Sequence, residues 1–191
     1  MRNWAIGIFC LFLVAACGGD SSLNGTLIVD DIPIVVGGDS NIEVTDYSLL
    51  RCEDDLTRVL ALINGKRTQV QTCGTESMPA VAAVTWNVAL TLAAQEHAAN
   101  MANYDFFSHT GVDDSTVGSR VISQGYRWSY VAENIAAGQT SAQAVVEGWM
   151  LSEGHCHNIM SKNVTEMGLA CVSNSDADYT RYWTQVFAKP F

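Results

Sequence analysis

Apolar positions along the chain recur at helical period through most of its length and at alternating period near its end. Leu49, Leu56, Val59, Leu60 and Ile63 fall on one stripe near 3.6 residues and predict an amphipathic helix from Ser48. Asp54 and Asp55 stand early in it and Lys66 and Arg67 late, as the helix dipole favours. A second helix follows Asn87, a good N-cap, with Leu90, Ala94, His97 and Met101 on its stripe. A third runs over about 115–124 and stops at Gly125. A fourth has Ser141 as cap and carries Ala142, Val145, Val146 and Trp149. Strand character appears at 167–172 and again at 181–187, where Tyr182, Thr184 and Val186 alternate with Trp183, Gln185 and Phe187. Helices first and strands last predict an α+β sandwich rather than a parallel βαβ sheet.

The N-terminus follows neither pattern. Arg2 precedes an uncharged apolar run over 4–16, too short to span a bilayer as a helix and suited to the h-region of a secretory signal. The run ends Leu13-Val14-Ala15-Ala16-Cys17-Gly18, which resembles a bacterial lipobox, where the cysteine is acylated and the chain is cut before it. Several acyl chains on Cys17 would anchor the protein stably, since one chain alone binds only marginally. The plainer reading is an ordinary signal peptide cut after Ala16, with Cys17 free. The Gly-Gly-Asp-Ser-Ser that follows favours a tether. The expected division is a signal peptide at 1–16, an acidic Gly/Ser-rich tether at 17–47 and a domain at 48–191. Within the tether an apolar stretch at 27–36, broken by two Asp and Pro33, has room for one strand. Gly18 rather than Asp after Cys17 favours onward sorting to an outer membrane, where the cell has one.

Composition narrows the partners. A length of 191 residues fits one domain with an appendage, and 48% apolar residues support a core. The net charge is −10, and −11 once 1–16 are removed with Arg2. Nucleic-acid affinity rests on phosphate neutralisation by Lys and Arg, so a chain this acidic is not a nucleic-acid binder. Of six cysteines, Cys10 leaves with the signal and Cys17 takes lipid. Cys52, Cys73, Cys156 and Cys171 remain, an even set that reads as two disulfides in an exported domain, with three possible connectivities. Closeness in sequence favours Cys52–Cys73 and Cys156–Cys171. There is no Cys-x-x-Cys pair to argue for zinc.

Three polar clusters interrupt apolar surroundings: 106–109 ending in His109, 132–136 around Glu133, and 149–155 ending in Glu153, Gly154 and His155. Two imidazoles and a carboxylate converging on one cleft can bind a divalent metal or form a hydrogen-bonded acid/base set. The plainer reading of the same trio is a polar network that holds the cleft walls together. His97, on an apolar stripe, reads as a core-edge histidine bonded to backbone. In the His155-Cys156-His157 triplet, Cys156 reads as a disulfide partner rather than a metal ligand. Asn134 reads as structural, holding a turn through backbone bonds. Trp149, Tyr182 and Trp183 read as core.

The motifs in order are Phe107-Ser108-His109, Glu133-Asn134-Ile135-Ala136, Trp149-x-x-Ser152-x-Gly154-His155-x-x-Asn158-Ile159-Met160, Thr165-x-Met167-Gly168 and 182–187. Together they resemble the bacterial branch of the CAP superfamily (cysteine-rich secretory, antigen 5 and pathogenesis-related proteins) over roughly 48–191. The resemblance implies a three-layer α-β-α sandwich with a cleft of two His and two Glu. His109, Glu133 and His155 match three of these. The eukaryotic pattern places the second Glu three residues after the Trp; here that position is Ser152, and Glu153 follows it, so the two compete for that place.

The resemblance further implies, for some members, a divalent cation such as zinc held by the two histidines, here His109 and His155. For others it implies sterol or fatty-acid ligands. Catalysis is not established as a general property of the family. No Gly-x-Ser-x-Gly elbow and no His-Glu-x-x-His helix is present. The expected function is a non-enzymatic, membrane-tethered binding module for a metal or a small lipid, sterol or peptide ligand. The alternatives are a metal-assisted hydrolase acting on envelope peptide or peptidoglycan, and a scaffold whose cleft is inactive.

Overall fold

The computed structural model describes residues 26–29, 32–35, Cys52 and 56–191, and the chain divides into two units, Met1–Ile42 and Glu43–Phe191. In the first unit, β1 (Thr26–Val29) and β2 (Ile32–Val35) pair antiparallel, Thr26 opposite Val35 and Val29 opposite Ile32. The apolar stretch that had room for one strand thus holds two, with Asp30 and Asp31 between them in sequence. The expected signal peptide, Cys17, most of the tether and the expected start of the first helix at 48–55, Cys52 apart, lie outside the described residues.

The second unit runs α1 (Leu56–Arg67), β3 (Gln71–Cys73), β4 (Glu76–Met78), β5 (Thr85–Trp86), α2 (Val88–Tyr104), α3 (Val117–Ser123), β6 (Trp128–Ala137), α4 (Ala142–Leu151), α5 (Glu153–Ile159), β7 (Glu166–Ser173) and β8 (Arg181–Pro190). The caps follow from local chemistry. Asn87 accepts from the Leu90 amide at 3.2 Å, and Ser141 accepts from that of Ala144 at 3.2 Å. At α3 the cap is Thr116, which exchanges bonds reciprocally with Ser119.

Strands β5-β7-β8-β6 form one sheet, with β5 parallel to β7 and the other pairs antiparallel. Side chains alternate across it, and both faces are covered. Met167, Leu169 and Cys171 of β7 join Trp183 and Phe187 of β8 in a core with Val59, Ile63, Val145, Trp149 and Ile159 of α1, α4 and α5. Ala170 and Val172 join Tyr182, Val186 and Ala188 in a second core with Leu90, Ala94, Ala98, Met101 and Val121 of α2 and α3. Two cores on opposite faces of one sheet make the α-β-α sandwich, and the alternation read along β8 is what divides them.

The disulfides correct the expected pairing. Cys52 bonds Cys171 and Cys73 bonds Cys156, each with Cα atoms 5.4 Å apart. Proximity in sequence is a poor guide because loop closure costs grow only logarithmically. Closing 119 residues instead of 21 costs about 1.5 kcal/mol more, less than tertiary packing supplies. The Cys52 amide donates to the Cys171 carbonyl at 3.2 Å, which lays Cys52 beside β7. The β3–β4 hairpin lies against α5, which brings Cys73 to Cys156. Buried Arg67 ties the same region together. Its guanidinium donates to the carbonyls of Ala82, Ile159, Ser161 and Val164, and burial lowers its pKa to about 10.

Gly168 is where α2 approaches the sheet. A Cβ there would lie 2.2 Å from Leu90 C and Thr91 N, both backbone atoms. Gly168→Ala should therefore destabilise the domain by at least about 1–3 kcal/mol, the usual range for overpacking. Urea unfolding would show this as a lower midpoint at unchanged slope; a midpoint equal to wild type would contradict the close approach.

Candidate functional site

The site forms at the β6 edge of the sheet, where alternation sends Glu133 toward α2 and α3 and Asn134 toward α5. The Glu133 side chain is only 2% exposed. Its Oε2 accepts from Arg120 Nη2 at 2.7 Å and its Oε1 from His109 Nδ1 at 2.8 Å. A carboxylate can only accept, so Nδ1 of His109 carries the proton and Nε2 of the neutral ring keeps its lone pair. The His109 side chain is 57% exposed. Arg120, itself buried, also donates to the carbonyls of Ser115 at 2.9 Å and His109 at 3.2 Å.

His97 stands behind this pair on α2. It is fully buried and donates Nε2–H to the Ser108 carbonyl at 2.8 Å, which places it in the core, bonded to backbone, as the sequence implies. Its Nε2 lies 3.9 Å from Glu133 Oε1, and its Nδ1 has no hydrogen-bond partner. Burial lowers its pKa from 6.5, with Glu133 partly opposing the shift.

Helices α4 and α5 form the other wall. Trp149 Nε1 donates to the Ile135 carbonyl at 3.1 Å, and Asn158 Nδ2 donates to the Glu133 carbonyl at 3.1 Å. Asn134 holds no turn: it lies on a strand, accepts from Asn158 at 2.9 Å and donates to the His155 carbonyl at 3.3 Å. These bonds dock α5 beside β6 and present His155 to a cleft of about 280 Å³ lined also by Phe107, Ile135, Val145, Trp149, Ser152 and Tyr179. Burial first, and then the proximity of His109, lowers the pKa of His155.

The break between α4 and α5 turns the two residues that compete for the fourth position to different places. Ser152 is extended there and lines the cleft, with no capping bond from its hydroxyl. Glu153, expected as a cleft residue, turns the other way. Its carboxyl lies over Gly74, so close that a Cβ at 74 would sit 2.7 Å from Glu153 Cδ. One residue further along a helix is about 100° of rotation, enough to move a side chain off the cleft. Cys156 is disulfide-bonded, though to Cys73, and His157 points to Glu76 on the β3–β4 hairpin at 3.6 Å. Arg120 carries no sequence signal beyond being the one basic residue of a short helix between the motifs of His109 and Glu133.

A three-layer α-β-α sandwich with a histidine–carboxylate pair and a second histidine at one sheet edge defines the class. The chain belongs to the CAP, or cysteine-rich secretory protein, family, whose model matches residues 60–187. It is 32% identical over 98 residues to the protein YkwD of Bacillus subtilis, covering 51% of this chain and 36% of that one. It is 27% identical over 109 residues to a membrane protein, YlbC, of the same organism, covering 57% of this chain and 30% of that one. The chain thus matches about a third of the length of these relatives. Among solved structures, an outer surface protein of Borrelia burgdorferi shares the fold with a TM-score of 0.61 at 16% identity, over 74% of this chain and 97% of that one. An extracellular protein containing an SCP domain from Bacillus anthracis does so with 0.57 at 24%, over 70% and 39%.

The two lowered histidines set a pH dependence. Below the ordinary 6.5 the unfolded chain binds protons that folded His97 and His155 resist, so stability is lost as pH falls from there toward their folded values. Thermal melts between about pH 5 and 7 should show this loss, with a shallower slope in His97→Gln, whose amide can still donate to Ser108. An unchanged slope would show that buried His97 is not what resists protonation.

Proposed function

We propose that the protein is an extracytoplasmic binding module, held to a membrane by lipid on Cys17, whose cleft takes a divalent metal or a small ligand through His109 and His155. The observation that carries this is the state of His109. Glu133 holds its Nδ1–H, the arrangement that orients metal-ligating histidines, and leaves its Nε2 for a ligand, with His155 near enough for His109 to help lower its pKa. Glu133 itself is committed on both oxygens, and Ser152 supplies a hydroxyl where the family pattern has a carboxylate. The donors that fit a metal are therefore the two imidazoles, fewer than the three protein ligands usual for catalytic zinc. Two disulfides and the signal-like N-terminus support export, as do an extracellular and an outer surface protein among the structural neighbours.

A metal-assisted hydrolase keeps one observation in its favour, since a Glu-oriented imidazole is also how a general base is built. Zinc titration calorimetry on the purified protein separates the readings. Binding at one site, lost in both His109→Ala and His155→Ala and without turnover of envelope peptides, is the expected result. Absence of zinc binding by the wild type would remove the metal from the proposal. The lipid anchor predicts that Cys17→Ser moves the protein from the membrane fraction to the soluble one; a cleaved form that stays with membranes would sink it.

A further inference from the structure

We propose that Arg120 is a positioning residue that selects the tautomer of His109, by dictating which atom residue 133 turns toward it. The inference rests on the reading that Nε2 of His109 is the atom offered to a ligand. A guanidinium has donors only, so whatever atom of residue 133 faces Arg120 must accept. Both are buried to the same degree, with side chains 2% exposed and 2.7 Å apart, so water does not substitute for either partner. With glutamate at 133 the second oxygen also accepts, and His109 is compelled to donate from Nδ1. Arg120 reaches the histidine from the backbone side as well. The same Nη2 donates to the His109 carbonyl, while Nη1 donates to the carbonyl and, at 3.3 Å, to the hydroxyl of Ser115 at the far end of the same loop. Residue 133 and the loop carrying His109 are thereby fixed against one donor group.

The consequence is specific to Arg120. In Glu133→Gln the amide oxygen must turn to Arg120, which leaves the amide N–H facing Nδ1 of His109. Nδ1 then becomes an acceptor and the proton moves to Nε2, which loses its lone pair. Replacing the arginine as well removes the compulsion. In Arg120→Met/Glu133→Gln the amide oxygen can turn back to His109 and restore Nδ1–H. The double variant removes both charges of the buried pair together, so neither charge is left uncompensated.

Long-range ¹⁵N–¹H correlation spectra of the full metal-free chain at alkaline pH distinguish a protonated from a bare ring nitrogen. Assignment comes from the loss of one set of signals in His109→Ala. The expected pattern is Nδ1–H in the wild type, Nε2–H in Glu133→Gln and Nδ1–H again in the double variant, with circular dichroism reporting that each is folded. A Glu133→Gln protein that keeps Nδ1–H overturns the proposal, and so does a folded double variant that stays Nε2–H. If the double variant does not fold, Arg120→Lys/Glu133→Gln replaces it. Lysine too offers only donors, so Nε2–H must persist, and a return to Nδ1–H would overturn the proposal. This readout needs no metal, so a wild type that binds no zinc would defeat the metal reading and leave the tautomer pattern to stand or fall alone.

Discussion

A carboxylate taken out of water must be met by charge and by hydrogen bonds, and the site of this domain is built around the way Glu133 meets that demand. An uncompensated buried ion costs several kcal/mol. Glu133 avoids this through Arg120, which is as deeply buried as itself and brings the loop containing Ser115 and His109 with it. His97 adds a second hold on that loop by bonding Ser108. The imidazole of His109 is therefore displayed at the surface by groups that are themselves in the core. Its position belongs to the fold rather than to the loop.

The opposite wall is held by a different kind of constraint. Strand β6 is an edge strand, and two of its carbonyls are taken by the side chains of Trp149 and Asn158. These close the edge against further strand pairing and fix α4 and α5 to it. From the other side, Cys73–Cys156 fastens α5 to the β3–β4 hairpin, and Arg67 collects the carbonyls that follow the helix. In the chain-entropy account, bridges spanning 83 and 119 residues each stabilise by about 4–5 kcal/mol, more than two short-range pairs would. His155 sits one residue from such a bridge, which makes its half of the cleft as fixed as that of His109.

What the sequence reveals follows from how local its causes are. Helices α2 and α4 are legible because a cap and a 3.6-residue stripe lie within a few residues of each other, and α3 because Gly125 marks its end. Strand β8 is legible because its two faces enter different cores and its alternation is clean. Strand β6 escapes notice although it carries Glu133. Its alternation is broken by the adjacent Glu133 and Asn134, and three of its ten residues are alanine, a poor strand former. The disulfide pairing fails for a related reason: which cysteines meet depends on where α5 and β7 lie against their neighbours, and closeness in sequence carries none of that. Arg120 is invisible for the plainest reason. A single arginine on a seven-residue helix has the sequence profile of a solvated surface group, and only the fold turns it inward.

Ser152 brings a hydroxyl to the cleft wall beside His155, at the place where the family resemblance implies a carboxylate. The acid bonded to His109 is already neutralised by Arg120, and the Glu153 carboxyl lies over Gly74, between β3 and β4. What faces the cleft is the imidazole of His155, disfavoured from taking a proton, and the hydroxyl of Ser152, not used in capping; the oriented imidazole of His109 stands near enough to His155 to contribute to that shift. Around them stand Phe107, Tyr179, Trp149 and Ile135. On the proposed reading, a metal or a polar ligand group would meet the imidazoles and take apolar contact from these walls. On the same proposed reading, the buried ion pair serves one histidine, because the direction in which His109 presents its lone pair would decide what it can recognise.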